Sequence, residues 1–296
     1  MSNISNNLIN GKLISNNLKS ELKEIIERNN LKPGLGIILV GNRPDSQIYV
    51  NMKKKACEKL NIRNFDVHLE ENVSELELID QVEKMNNNKE INGILIQLPL
   101  PKHINSQNVL SKVSLEKDVD GFHSVSIGNL ALNRIDNIYC PCTPSGCIEL
   151  LKRYNVKIEG KHAVIIGRSN IVGMPLSLLL LHNNATVTIC HSKTRNLNEL
   201  TRQADILIVA CGIPKLIKKE DIKKDVVILD VGINKIYCEE NKKNKLFGDV
   251  DFEDVKDKCS LITPVPGGVG PMTISMLLKH TVEAYIKQNN VILKNN

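Results

Sequence analysis

Three side chains in the stretch Asp45-Ser46-Gln47-Ile48-Tyr49-Val50-Asn51-Met52-Lys53 have types and spacing suited to chemistry if a helix carries them. At 100° per residue, Ser46, Tyr49 and Lys53 fall at i, i+3 and i+7, within a sector of about 60°. Val50, Cys57 and Leu60 lie in or beside that sector, whereas Lys54, Lys55 and Lys59 point away toward the expected solvent side. A lysine on an apolar face is disfavoured in its charged form, so its pKa falls toward the range where it exchanges protons at neutral pH. The spacing leaves a second reading open, a lysine that snorkels to water from the edge of the face. Tyr49 has two readings as well: core packing, or a ring that stacks on an aromatic substrate.

Further candidates lie where strands are expected to end. Gln97 closes the apolar run Ile94-Leu95-Ile96, and an uncharged amide there orients a neutral amine without burying a charge. Asp118-Val119-Asp120-Gly121 reads as a loop with two carboxylates on one side of an extended chain, open to an acid/base pair, a calcium loop or a plain turn. The run Ala163 to Ile166 leads into Gly167-Arg168-Ser169-Asn170-Ile171-Val172-Gly173-Met174-Pro175. A glycine at a strand end lets backbone approach a pyrophosphate, and the helix behind offers unpaired N–H groups, so this is a dinucleotide site in outline. Ser169 stands at the second glycine position, and the spacing to Gly173 is longer than usual. The next strand ends in His191-Ser192-Lys193-Thr194-Arg195 with no acid to repel a 2′-phosphate, which with Arg168 and Ser192 points to NADP. Lys193 and Arg195 are expected to be solvated surface charges.

The elements that must position these groups follow from periodicity. Helices are expected over 15–29, 45–60, 74–85, 143–154, 175–182 and 273–288, and strands over 35–40, 65–69, 93–97, 163–166, 186–190, 206–210 and 226–231. Residues 118–130 read as loop and 239–245 as a charged hairpin tip. Alternating strands and helices define an α/β protein, and the second series suits an open, doubly wound sheet.

The 296 residues exceed one usual domain, and 42% hydrophobic content is enough for a substantial core, so two domains are expected. The net charge of +6 is modest and its lysines and arginines are scattered, which argues against nucleic acid as a partner and suits anionic small molecules. No apolar run is long enough to cross a bilayer and no secretory signal is legible. The eight irregularly spaced cysteines read as reduced intracellular thiols; Cys140, Cys142 and Cys147 match no common zinc spacing, and no metal is expected.

Taken together, these pieces resemble the FolD family of bifunctional methylenetetrahydrofolate dehydrogenase/methenyltetrahydrofolate cyclohydrolases. The matching residues are Tyr49-Val50 with Lys53, Gln97-Leu98-Pro99-Leu100-Pro101, Lys117 through Gly121, Pro141-Cys142-Thr143-Pro144, Gly167 through Pro175, and Pro264-Val265-Pro266-Gly267-Gly268-Val269-Gly270-Pro271-Met272-Thr273. They occur in the family's order over nearly the whole chain, from Ile9-Asn10-Gly11-Lys12 onward, leaving almost nothing before them for a transit peptide. The resemblance implies a folate-binding domain over 1–143 completed by a C-terminal helix over 273–296, a Rossmann-type NADP-binding domain over 144–272 and a homodimer; the missing export signal and the reduced thiols set the expected location as cytoplasmic. It implies Lys53 as the acid/base group of the cyclohydrolase step, Gln97 as its orienting partner, Tyr49 as the ring stacked on the folate and Asp120 as acceptor from the pterin. Ser46 and Cys142 would line the cleft, with Pro266, Gly267, Gly268 and Gly270 in a close-approach loop at its mouth. Gly167, Arg168, Ser169 and Ser192 would hold NADP, with Ile233 and Thr273 near the nicotinamide, and the folate would lie between the domains. Asn61 departs from the family's usual glycine after the lysine helix. Two other classes compete: another Rossmann dehydrogenase with a shikimate-like or amino acid substrate, which leaves Lys53 and Gln97 unexplained, and a non-catalytic folate or nucleotide-binding regulator.

Overall fold

The computed structural model describes residues 7–136, 138–238 and 243–294. Its contacts divide these into two units: 17–142 with 274–294, and 7–16 with 143–273.

The first unit is built on a short parallel sheet. Helix α1 (Gly11–Arg28) leads into β1 (Gly34–Val40), then α2 (Pro44–Lys59), β2 (Arg63–Leu69), α3 (Glu75–Asn87) and β3 (Gly93–Ile96). The sheet order is β2-β1-β3, with β1 parallel to both neighbours and every residue of β1 and β3 buried. The continuous apolar runs reflect this, because a strand covered on both faces has no polar alternation. Beneath it pack Ile38, Leu78, Val82, Ile94 and Val109. Ser74 starts α3 with a reciprocal capping box to Glu77, and Lys117 closes its far end, its Nζ donating to the carbonyls of Met85 (3.1 Å), Asn86 (2.6 Å) and Asn88 (2.9 Å). Asn61, just past α2, has φ 56°, the left-handed conformation a glycine would supply, so its departure from the family pattern keeps the backbone shape.

After α4 (Ser106–Leu110) comes a correction. The stretch expected as loop over 118–130 contains a helix, α5 (Ser124–Ala131), whose first turn is capped by His123, its Nδ1 accepting the Val125 N–H at 3.1 Å. Histidine is not among the common caps, which is why this start is not legible from residue type.

The second unit holds α6 (Cys142–Arg153), β4 (His162–Ile166), α7 (Gly173–His182), β5 (Thr186–Cys190), α8 (Leu197–Thr201), β6 (Ile206–Val209) and β7 (Val227–Asp230). An antiparallel hairpin of β8 (Asn234–Cys238) and β9 (Lys243–Phe247) follows, then α9 (Phe252–Val255), β10 (Leu261–Ile262) and α10 (Val269–Gln288), which from Ile274 onward belongs to the first unit. Residues 239–242 of the expected hairpin tip lie outside the described residues, whereas Lys243–Phe247 is the return strand. The five-stranded sheet is parallel throughout, in the order β10-β7-β6-β4-β5. The strand order reverses at β4, and open α/β sheets bind ligands beyond the carboxyl ends of the strands at such a switch point.

Two boundaries differ from expectation. Residues 7–16 group with the second unit instead of the folate-binding domain, because Leu8 bridges Ile262 of the two-residue edge strand β10 and the Lys12 N–H donates to Gly267 O at 2.9 Å. The last helix begins at Val269, a turn before Thr273, so Gly270 belongs to its first turn and not to a loop. Gly267, at φ 106°, keeps the loop conformation, while Gly268 is buried beside Thr263 and Pro264.

Candidate active site

In the first unit the expected site residues converge on one amine. Lys53 lies on the buried face of α2 with Ser46, Val50 and Cys57, and is only 8% exposed. Its Nζ donates to Gln97 Oε1 at 2.9 Å. A lysine snorkelling to bulk water is therefore excluded. The Gln97 amide is oriented by its own Nε2, which donates to Leu98 O at 2.8 Å, so the carbonyl oxygen is the end that faces the amine. Burial pushes the Lys53 pKa below its ordinary value, and the nearby Asp120 carboxylate opposes that shift without reversing it.

Asp120 and Cys142 complete the cluster. Burial raises the Asp120 carboxyl, while Lys53 and a hydrogen bond from Cys142 hold it down. The Cys142 thiol is fully buried against Val119 O (Sγ···O 3.4 Å) and is pushed well above the usual thiol range, so it acts as a donor and not as a thiolate nucleophile. Cys140 and Cys147 are likewise pushed up, to about 11 and about 12, by burial. Tyr49, one turn before Lys53, is 38% exposed, which leaves its ring available to a ligand.

Of the readings open to the Asp118-Val119-Asp120 segment the structure shows the plain turn, with separate partners for its two carboxylates. A turn closed by the Gly121 N–H to Asp118 O (3.0 Å) separates them. Asp118 is buried and accepts from the N–H groups of Phe122 (3.1 Å) and His123 (3.0 Å) and from Ser126 Oγ (2.7 Å). Burial nonetheless lifts its pKa to about 7. Between them, the Val119 carbonyl accepts from His280 Nδ1 at 2.9 Å. That imidazole is held neutral by burial, at about 4. Asp118 and His280 thus anchor the backbone that presents Asp120, a role the sequence reading missed. The only sequence signal for His280 is a polar residue on the apolar face of the last helix, between Leu277 and Ala284.

In the second unit, the turn from β4 into α7 has the shape a pyrophosphate needs. Gly167 has φ 125°, and a Cβ there would stand 2.2 Å from Ala210 O; one at Gly173 would stand 2.2 Å from Gly167 O. Ser169 Oγ accepts from the N–H groups of Val172 (3.2 Å) and Gly173 (3.4 Å), so the serine in place of a glycine caps the helix that Val172 leaves without a side-chain cap. Arg168, Ser169 and Ser192 are exposed at the carboxyl ends of β4 and β5, as are Lys193 and Arg195. Ile233 follows β7, and Thr273 Oγ1 lies 2.9 Å from Thr143 Oγ1. Pro266, Gly267 and Gly268 belong to this unit, beside Gly11 and Lys12. The strand-end glycine, the helix N-terminus and the absence of an acid after β5 fit a phosphorylated dinucleotide.

A doubly wound nucleotide-binding sheet, paired in one chain with a second α/β unit built around a buried amine, defines a two-unit α/β protein of dinucleotide-dependent type. Family models agree: the tetrahydrofolate dehydrogenase/cyclohydrolase catalytic domain matches residues 9–120 and the NAD(P)-binding domain of the same family matches residues 141–289. The bifunctional protein FolD of Acetivibrio thermocellus is 50% identical over 280 residues, 94% of this chain and 96% of that protein. The crystal structure of the Campylobacter jejuni FolD dehydrogenase/cyclohydrolase is 46% identical with a TM-score of 0.91, covering 96% of this chain and 99% of that one. The Trypanosoma brucei FolD structure, solved with NADP cofactor and inhibitor, is 37% identical with a TM-score of 0.91 over 96% of this chain and 98% of that one. The chain belongs to the tetrahydrofolate dehydrogenase/cyclohydrolase family.

Proposed function

We propose that this protein oxidises 5,10-methylenetetrahydrofolate with NADP and hydrolyses the 5,10-methenyl product to 10-formyltetrahydrofolate. The observation that carries the reading is the buried Lys53 amine, 2.9 Å from an amide oxygen whose orientation is fixed. A phosphate cradle alone suits any Rossmann dehydrogenase or a nucleotide-binding regulator, and neither of those requires this amine.

When bound, NADP would supply the hydride acceptor for oxidation of the methylene carbon to the methenyl cation. Gly167, Arg168, Ser169 and Ser192 hold the dinucleotide phosphates, and Ile233 and Thr273 serve the nicotinamide end. Tyr49 stacks on the folate, Asp120 accepts from the pterin, and Ser46 and Cys142 shape the surrounding wall; Pro266, Gly267 and Gly268 are the substrate-binding backbone that the second unit supplies by family resemblance. Orientation is most of what the chain supplies to the first step, because the folate nitrogens stabilise the cation. In the second step water adds to the methenyl carbon, and neutral Lys53 takes a proton from it as the oxygen–carbon bond forms. The carbon–nitrogen bond to N5 then breaks; Lys53 returns its proton to that nitrogen and the hydroxyl proton leaves to solvent, so one proton is released in all. Gln97 holds the amine toward the reacting carbon throughout.

This reading puts the protein in one-carbon metabolism, supplying the formyl donor that purine biosynthesis consumes, and has it working as a cytoplasmic homodimer, as family resemblance suggests. Free thiols at Cys57, Cys142 and Cys147 suit a reducing compartment, and no described helix is long and apolar enough to cross a membrane. One assay tests the chemistry. Incubation with methylenetetrahydrofolate and NADP is followed at once for NADPH and for the methenyl chromophore; NADPH should accumulate while the chromophore rises and decays. No NADPH would refute the first reaction, and decay of the chromophore at the solution rate would refute the second.

A further inference from the structure

Two buried acids close the carboxyl ends of β6 and β7, and the reading above leaves them without a task. Asp249 is wholly buried; its Oδ2 accepts the N–H groups of Cys211 (2.7 Å) and Gly212 (2.9 Å), and its Oδ1 accepts Asn234 Nδ2 (2.8 Å). Asp230, also buried, accepts from the N–H groups of Gly232 (3.1 Å), Asp249 (2.9 Å) and Val250 (2.9 Å). One carboxylate therefore ties the loop after β6 to the turn after β7, and the other seats the first one's own backbone. The sequence clears space for both: a Cβ at Gly232 would stand 2.1 Å from Asp249 Cγ, and one at Gly248 would stand 1.8 Å from Asp230 Oδ2.

Burying two carboxylates is a costly way to hold loops together, since apolar packing does the same without desolvating charge. What the arrangement adds is direction, because each oxygen aims particular N–H groups and so sets a backbone path. The two tied segments each expose one large apolar side chain, Ile213 at 50% and Ile233 at 45%. Both lie past the strand ends on the side of the sheet's switch point, where Gly167 packs against Ala210.

We propose that Asp249 is a positioning residue for the nicotinamide end of the cofactor: it holds Ile213 and Ile233 as a preformed apolar wall against which the ring is set for hydride transfer. This rests on the reading of the second unit as an NADP site. Asp249→Asn keeps the shape but turns an NH2 toward N–H donors on one side or the other. Asn234→Ala removes the half-buried rim bond to Asp249, together with the amide's longer 3.3 Å bond to Phe247 O, and leaves the acids in place. Both variants and the wild type are titrated calorimetrically with NADP and with 2′,5′-ADP, which carries the phosphorylated adenosine and no nicotinamide, and assayed for both reactions.

In Asp249→Asn, dehydrogenase kcat should fall by about 10- to 100-fold, the scale of an ångström's misplacement. NADP should also bind more weakly, and Asn234→Ala should lose several-fold on both measures. Affinity for 2′,5′-ADP and the cofactor-independent hydrolysis of the methenyl substrate should not change. Unaltered NADP binding and kcat in Asn234→Ala and in folded Asp249→Asn would overturn the proposal, as would losses of equal size for both ligands and both reactions. If Asp249→Asn does not fold, Asn234→Ala alone decides. A wild type that binds neither ligand would instead refute the NADP reading.

Discussion

Lys53 shows how little separates a surface lysine from a proton-transfer group. Three lysines of the same helix, Lys54, Lys55 and Lys59, differ from it only in azimuth, yet Lys54 pairs with Asp66 at 2.8 Å and the other two are exposed. Position on the helix decides burial, and burial decides the pKa direction. Replacement by methionine, which keeps length and removes the amine, should lower cyclohydrolase turnover by about 10²- to 10⁴-fold, the usual worth of a placed acid/base group. The unfolding midpoint should not fall, because the substitution removes the cost of a buried cation. In the wild type, hydrolysis should rise with pH as Lys53 loses its proton, with the limb lying below the ordinary lysine value of 10.5. A fall of less than about tenfold in Lys53→Met, measured by decay of the methenyl chromophore, would remove Lys53 from the mechanism.

Among the elements, the turn from β4 into α7 carries the most constraint in the fewest residues. Gly167 has a φ that side chains rarely adopt and also abuts the carbonyl of Ala210 just past β6, so glycine is required twice over. Gly167→Ala should cost about 1–3 kcal/mol in urea unfolding, the scale of a residue forced into a sparsely populated backbone region. The same variant should bind NADP more weakly by calorimetry; full stability together with full affinity would contradict the fit to a pyrophosphate. The turn was legible in the sequence because glycine requirements are local. The α5 helix was not, because its start depends on a histidine cap and on Asp118 bonds to Phe122, His123 and Ser126 that form only once the segment is buried.

At the scale of the molecule, both ends of the chain return to units begun elsewhere. Residues 7–12 pair with the edge of the second unit's sheet, and the last helix reaches the first unit through His280 to Val119 and through Gln288, whose Nε2 donates to Asn92 O at 2.9 Å. His280 makes this closure pH-sensitive. Its folded pKa is depressed from 6.5 to about 4, so its contribution is present above pH 6.5 and lost as pH falls through about 4. Asp118 and Asp230, both raised to about 7, act with the opposite sign, contributing most below the usual carboxylate range and least above 7. Comparison with His280→Asn, which keeps a donor for Val119 and cannot ionise, cancels the carboxylates. Wild type should lose about 3 kcal/mol relative to that variant between pH 7 and pH 4, given 1.36 kcal/mol per pKa unit. A pH-independent difference in chemical denaturation would show that His280 is not buried neutral.

Periodicity and turn chemistry, read from the chain alone, were enough to establish the α/β class, the buried strands, the odd lysine of α2 and the glycine turn, because these are set by neighbours a few residues away. Tertiary structure decided what those groups meet. Gln97 reaches Lys53 from 44 residues away, His280 reaches Val119 across 161, and Asp249 gathers loops 37 and 38 residues upstream. Only the fold makes those encounters, since nothing local distinguishes a carboxylate that will collect buried N–H groups from one that will stay in water.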